Sequence, residues 1–375
     1  MPSNDWGKIL IIQLGVGLVG SAVIDEVLRR APIWRHRHGI ALSHWAVADS
    51  SGFVIPNDGE RWLAPDTLAD ISHARRAGHR LASFPTFLPS DQWRRVLEGA
   101  ILSAGSADRV IVVDCAVGHA TTEMLLATRA TGAHIGLCNK DPLTGPMSQF
   151  HALRRFGTRG TLRLSGTVGA GLPITSAVMA AAANGDAILG LRAVASGSLG
   201  ELCSAMSRGD TFPCALHSAV AAGYCEPDPR RDLSGHDVAR KLLILARLAG
   251  FTAELADVAV ESLIPPSMES LTRDEFLAAL PSLDNHLRER FVSARESGSV
   301  LRYVGTIDAD GSLRAGLSET RQDDSLAWGK GPENTFILRT TRYDHYPLII
   351  RGPGAGASVT AGAVVSDILR AAGML

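Results

Sequence analysis

"KILIIQLGVGLVGSAVIDEVLRR", Lys8 to Arg30, is the stretch that decides the fold. Lys8 to Gln13 form a short apolar run of strand type, Gly15, Gly17 and Gly20 follow at once, and Val19, Val23 and Val27 then recur at helical spacing. A Gly-x-Gly-x-x-Gly placed between a strand and a helix is the context in which that motif carries physical meaning. Gly15 permits a tight turn, Gly17 lets a pyrophosphate approach the backbone, and Gly20 lets the helix pack on the strand. The helix N-terminus then offers unpaired N–H groups and a partial positive charge to an anion.

Working outward, "LSHWAVAD" reads as a second strand ending at Asp49, "DRVIVVDC" as another ending at Asp114 and Cys115, and "AHIGLC" as one running into Asn139 and Lys140. Strands alternating with helical stretches predict an α/β, Rossmann-type doubly wound parallel sheet over residues 1–145. Asp49 stands where an acid accepts hydrogen bonds from the adenosine ribose. It lies further from the glycines than usual, with "RRAPIWRHRHG" read as a long solvated connection. Ser50, Ser51 and Gly52 follow it without an arginine for a 2′-phosphate, which tilts the expected cofactor from NADP toward NAD; Arg35 and Arg37 are the basic residues able to fold back. After "GPMSQF" the texture changes to polar strands, glycine-rich turns and two long helical segments, an α+β domain over residues 146–345. Residues 346–375 hold "GPGAGASVTAGAVVSDILRAAG", another glycine turn feeding a helix.

Composition narrows the function classes. With 37 Lys+Arg against 38 Asp+Glu, the chain lacks the basic surface that nucleic acid demands. The five cysteines, Cys115, Cys138, Cys203, Cys214 and Cys225, show no CxxC spacing, so neither a zinc site nor a disulfide framework is indicated. Buried thiols in a reducing cytoplasm are expected instead. No apolar run approaches the length of a membrane span, and "MPSNDWGK" is not a secretory signal.

A second informative stretch is "GYCEPDPRRDLSGHDVARKLLILARLAG", Gly223 to Gly250, in which Glu226, Asp228, Asp232 and Asp237 lead into an apolar helix. Ser234 followed by Asp237 predicts a capping box at the helix start. On a helical wheel His236, Arg240 and Arg247 form one stripe, the expected solvent face, whereas Asp237 and Lys241 share the side of Leu245 and Leu248. A surface i,i+4 ion pair is the plain alternative for Asp237 and Lys241; their grouping with leucines favours a partly desolvated lysine suited to proton transfer. The acids upstream suit a cationic group such as an amine.

Taken together, these stretches resemble the homoserine dehydrogenase family. "GVGLVG", Asn139–Lys140, "TVGAGLPI" at Thr167 to Ile174, "SGSLGEL" at Ser196 to Leu202, "VESLIP" and "GPGAGASVTAG" occur in family order along nearly the whole chain. The resemblance implies an NAD(P)-dependent oxidoreductase of amino-acid biosynthesis, acting on a small amino-acid substrate as a cytoplasmic homodimer. It implies Lys241 as general acid/base with Asp237 orienting it, Glu226 and Asp232 on the substrate amino group, and Gly197, Ser198 and Tyr224 lining the substrate pocket. Gly15, Val16, Gly17, Leu18, Val19 and Gly20, with Asp49, Cys115 and Lys140, would surround the cofactor. Gly354 and Ala355 would return to the nucleotide domain beside the nicotinamide.

The chain departs from the family pattern in three places: Asp141 stands where a second lysine is usual, Ser198 replaces a threonine, and Ser165 replaces an acid that helps hold a monovalent cation. Only the carbonyls of Val168 and Ala170 would then remain for that cation, implying a weakened site. Without kinase or ligand-sensing ACT sequences the chain resembles the compact monofunctional enzymes. A dehydrogenase for a related semialdehyde, and a dinucleotide-binding regulator without turnover, are the competing expectations.

Overall fold

The computed structural model describes residues 8–105, 108–155 and 160–373. The chain forms two compact units, one reaching to Gly171 and resuming at Gly356, the other running from Leu172 to Ala355. Five helices bear on function: α1 (Leu18–His38), α2 (Pro65–Arg76), α3 (Gly197–Arg208), α4 (His236–Ala249) and α5 (Ala357–Ala371).

In the first unit the strands are β1 (Ile9–Leu14), β2 (Leu42–Asp49), β3 (Gly52–Val54), β4 (Phe87–Pro89), β5 (Arg109–Asp114), β6 (His134–Leu137) and β7 (Leu162–Arg163), ordered β4-β3-β2-β1-β5-β6-β7. The run β2-β1-β5-β6-β7 is parallel, and β3 and β4 add an antiparallel edge. Every residue of β1 is buried, as a central parallel strand covered on both faces requires. Helices α1 and α5 share one core with it, in which Val23, Val27 and Trp34 meet Ala361, Val364 and Ile368.

The stretch expected to be a solvated loop is helix. Helix α1 continues through Pro32 to His38, and Gly39 in the left-handed region donates its N–H to the Arg35 carbonyl at 3.0 Å. Proline removes one backbone donor from a helix interior, but Trp34 is only 7% exposed and anchors the last turns in the core. Arg35, His36, Arg37 and His38 in the final turn also suit the negative end of the helix dipole. Asp49 is therefore distant from the glycines in sequence because α1 is long.

The second unit carries a six-stranded sheet of β8 (Ile188–Val194), β9 (Val258–Val260), β10 (Ser299–Ile307), β11 (Leu313–Arg321), β12 (Glu333–Thr340) and β13 (Leu348–Pro353), ordered β13-β12-β8-β10-β11-β9. It is antiparallel except for β9 beside β11. Helices α3 and α4 pack on it, and Gly305 of β10 leaves room for Leu242 of α4, whose Cδ2 would lie 2.8 Å from an added Cβ. The units divide at other residues than expected. The first extends past residue 145 because β7 pairs with β6, and the chain rejoins it at Gly356 and not at 346 because β13 pairs with β12.

Two polar side chains interrupt the apolar strands. Gln13 of β1 donates through Nε2 to the carbonyls of Gly15 at 3.1 Å and Gly20 at 2.9 Å, and its Oε1 lies 2.9 Å from His44 Nε2 on β2. Burial pushes His44 down to about 3 from 6.5, so the ring is neutral in the fold. An unfolded chain takes up this proton near 6.5, whereas the folded chain refuses it until about 3. The associated stability is present above that window and is lost as the pH falls through it. His44→Gln should therefore flatten the fall in urea midpoint over this range; an equal slope in variant and wild type would contradict the assignment.

Candidate active site

In the second unit the residues singled out in sequence are joined through one chain of polar contacts. Lys241, 8% exposed, donates from Nζ to the Ala195 carbonyl at 2.6 Å and pairs with Asp237 Oδ2 at 2.7 Å. Ala195 follows β8, and Ser196 caps α3 by accepting the Leu199 N–H at 3.3 Å. Ser196 Oγ lies 3.0 Å from Ser198 Oγ, which donates to Asp232 Oδ1 at 2.7 Å. The other Asp232 oxygen accepts the Glu226 N–H at 2.9 Å. Glu226 and Tyr224 are exposed, and Gly197 packs against the Pro332 carbonyl. A lysine ammonium has three N–H donors, so two fixed acceptors leave one for an incoming oxygen.

The four acids of the Gly223–Gly250 stretch thus take different parts. Arg230 grips Asp228 through Nε at 2.9 Å and Nη2 at 2.6 Å, holding its carboxyl below the ordinary value. Asp228 is thus paired with Arg230, whereas Asp237 pairs with Lys241 and Asp232 is held by Ser198 and the Glu226 N–H.

The predicted capping box does not form. Gly235, in the left-handed region at φ 72°, is the N-cap of α4, while Ser234 Oγ donates to the Arg231 carbonyl at 2.8 Å. Arg247 is not on a solvent face either. It is 1% exposed, with Nε bonded to the Ala253 carbonyl at 2.9 Å and Nη2 to Glu254 at 2.8 Å, because the segment after α4 folds back over that side.

In the first unit Gly15 stands at φ 90°, and a Cβ there would lie 2.6 Å from the Ala116 nitrogen. A Cβ on Gly20 would overlap the Gly15 carbonyl, whereas one on Gly17 would meet nothing within 4 Å. No side chain caps α1 at Gly17. A cavity of about 540 Å³ opens beside this turn, lined among others by Gly15, Val16, Gly17, Asp49, Arg75 and Cys115. An uncapped helix start and open space over the second glycine fit a pyrophosphate. Leu18 is strongly exposed at the turn, and Val19 packs on the core of α1 and α5.

Lys140 opens the short helix Asp141–Thr144 beside buried Asn139. Asn139 Nδ2 donates to Asp114 at 3.1 Å and to the Gly118 carbonyl at 2.8 Å, and Asp141 accepts the Gly118 N–H at 2.7 Å. The departure at Asp141 therefore ties down the loop that contributes Ala116, Val117 and Ala120 to the cavity wall.

The homoserine dehydrogenase family model matches residues 173–369, more than half of the sequence. The chain belongs to the homoserine dehydrogenase family. It is 34% identical over 368 residues to the Arabidopsis thaliana bifunctional aspartokinase/homoserine dehydrogenase 2, covering 96% of this chain and 38% of that protein. The Escherichia coli bifunctional aspartokinase/homoserine dehydrogenase 2 is 38% identical over 373 residues, covering 98% and 44%. The chain thus spans about two fifths of the length of these curated relatives. Among solved structures, a Candida auris protein of unknown function aligns with a TM-score of 0.85 at 30% identity, covering 98% of this chain and 99% of that one. A hyperthermophilic archaeal homoserine dehydrogenase in complex with NADPH shares the fold, with a TM-score of 0.71 at 20% identity and 97% of each chain covered.

Where the homoserine dehydrogenase pattern has an acid, Ser165 meets one that comes from elsewhere in the chain. Asp367 of α5 accepts the Ser165 N–H at 2.8 Å and its hydroxyl at 2.6 Å, so a carboxylate reaches this turn from 202 residues away. Burial pushes the Asp367 carboxyl up, against the pull of the Ser165 hydrogen bonds. In the same turn Val168 is buried and Ala170 takes a left-handed φ of 56°.

Two further residues escaped sequence reasoning. Arg75 of α2 pairs with Asp49 at 3.3 Å, although 26 positions separate them and no motif links them; Arg35 lines a different cavity. Asn334 of β12 is fully buried, its carboxamide packed against Gly354 so closely that a Cβ there would overlap it. Gly354 and Ala355 themselves follow directly from the end of β13.

Gly235 supplies a direct test of how the lysine helix is set. Gly235→Ala meets both a left-handed φ and the Tyr303 hydroxyl, and should destabilise the protein by about 2 kcal/mol or more. Gly223→Ala, at φ 73° in open space, carries the backbone strain alone and should cost about half that. Equal urea midpoints for the two variants would show that the Tyr303 contact does not position α4.

Proposed function

We propose that the chain is an NAD(P)-dependent homoserine dehydrogenase, interconverting aspartate 4-semialdehyde and homoserine. The observation that carries this is the continuous polar chain from Asp237 and Lys241 through Ala195, Ser196 and Ser198 to Asp232 and Glu226. Family membership supports it, as does the fit of the glycine turn to a dinucleotide. The bound nicotinamide supplies the hydride at its C4 and takes it back in the reverse direction.

Lys241 does the proton work. As the aldehyde carbon is reduced, negative charge develops on its oxygen, and the Nζ donor left over from Ala195 and Asp237 hands that oxygen a proton. In the oxidative direction the same nitrogen, deprotonated, removes the hydroxyl proton of homoserine. Asp237 holds the ammonium in position, and the Ala195 carbonyl keeps it from swinging toward solvent. Glu226 and Asp232 attract the substrate ammonium, with Asp232 held in place by Ser198 and the Glu226 backbone. Gly197, Ser198 and Tyr224 complete the pocket, and Gly354 and Ala355 serve the nicotinamide end. A homodimer working in the cytoplasm belongs to the same proposal.

Oxidation of homoserine, followed by nicotinamide absorbance, tests this directly. Lys241→Ala should lower kcat by about 100-fold or more while the dinucleotide still binds. A folded Lys241→Ala protein with near-normal kcat would remove this lysine from the chemistry, and a wild type that turns over no homoserine would overturn the function.

A further inference from the structure

We propose that Arg75 reads the 2′ position of the adenosine ribose and gives this chain a preference for a 2′-phosphorylated dinucleotide. The inference rests on the dinucleotide-binding role of the first unit proposed above, and reverses the tilt toward NAD that Ser50, Ser51 and Gly52 suggest in sequence.

An acid that recognises a free ribose needs carboxylate oxygens open to two hydroxyls. Asp49 does not offer them. Its side chain is 5% exposed, Oδ1 accepts the Ser51 N–H at 2.8 Å and the Ser51 hydroxyl at 2.5 Å, and Oδ2 accepts the Leu81 N–H at 3.0 Å and faces Arg75 at 3.3 Å. A carboxylate has about four acceptor positions, and all four are engaged within the protein. Asp49 is thereby an anchor for Arg75 at the end of β2.

Arg75 in turn has capacity to spare. Its Nη1 is bonded to the His79 carbonyl at 2.5 Å and faces Asp49, while Nε is covered from solvent and has no acceptor among the described residues. A buried N–H without a partner is unfavourable, and guanidinium groups engage phosphate oxygens through two parallel N–H donors. Arg75, Ser50 and Asp49 all line the cavity beside the glycine turn, so the donor stands at the ribose end of the site. Of the other acids on that wall, Glu123 is paired with Arg94 at 2.5 Å, leaving Asp91 as the opposing charge.

Titration calorimetry of the full chain with 5′-AMP and with adenosine 2′,5′-bisphosphate separates the possibilities, since neither probe carries a nicotinamide. The wild type should bind the bisphosphate about 10- to 100-fold more tightly, the range expected for charge-assisted hydrogen bonds. Arg75→Gln should erase that preference while AMP affinity moves by about three-fold or less, and Arg75→Lys should keep part of it. Equal affinities in the wild type, or a preference that survives Arg75→Gln, would overturn the proposal. Should Arg75→Gln bind neither probe, Arg75→Lys decides: a full preference retained by lysine would show that charge alone, and not the Arg75 fork, reads the ribose. If the wild type binds neither adenosine compound, the dinucleotide role of the first unit fails, and the assignment to Arg75 with it.

Discussion

The second unit is organised around one requirement: an ammonium group that is almost out of solvent must be met by oxygen. Lys241 finds it in Asp237, one helical turn back, and in the carbonyl of Ala195, where β8 ends. The first contact is local to α4, but the second fixes the helix against the strand, and the strand end also starts α3. Removing either oxygen would leave a buried charge undercompensated, a costly state in a low-dielectric setting. The lysine is consequently mounted on regular elements and not on a mobile loop, which is the arrangement that holds a proton donor within reach of a reacting oxygen.

The same logic of answered polar groups operates beneath the glycine turn. Parallel strands buried on both faces favour apolar residues, and Gln13 of β1 and His44 of β2 break that rule while meeting each other. Gln13, held by His44, donates to the carbonyls of Gly15 and Gly20, so the turn is satisfied on that side by protein. What it lacks on its outer side, above Gly17, is any covering side chain. A turn saturated beneath and open above is built to receive an anion from one direction.

The sequence announced these elements unevenly, for physical reasons. The glycine turn was legible because each glycine answers a separate steric demand, and the strands ending at Asp49 and Asp114 were legible from their apolar runs. The buried side of α4 was legible at Lys241 but not at Arg247, since a helical wheel records only the helix itself. Arg247 is covered by a segment that the wheel does not contain. Pro32 hid the second half of α1, because local propensity disfavours proline there while Trp34 supplies tertiary packing that overrides it. Arg75 and Asp367 were illegible for a third reason: each meets its partner only after the chain has returned from elsewhere, and no spacing rule encodes such a meeting.

The contact between Ser165 and Asp367 closes a circuit through the chain. The second unit is an insertion in the first, entered after Gly171 and left before Gly356. Helix α5 supplies Ala361, Val364, Val365 and Ile368 to the core that also holds β1 and α1. During synthesis, the segment from β1 to Gly171 therefore leaves the ribosome with one apolar face uncovered, and about 185 more residues must follow before the helix that covers it exists. Over that interval the inserted unit can fold on its own contacts while the dinucleotide fold waits for its last element. Within this fold, the unit whose strands are made earlier is thus the one finished later.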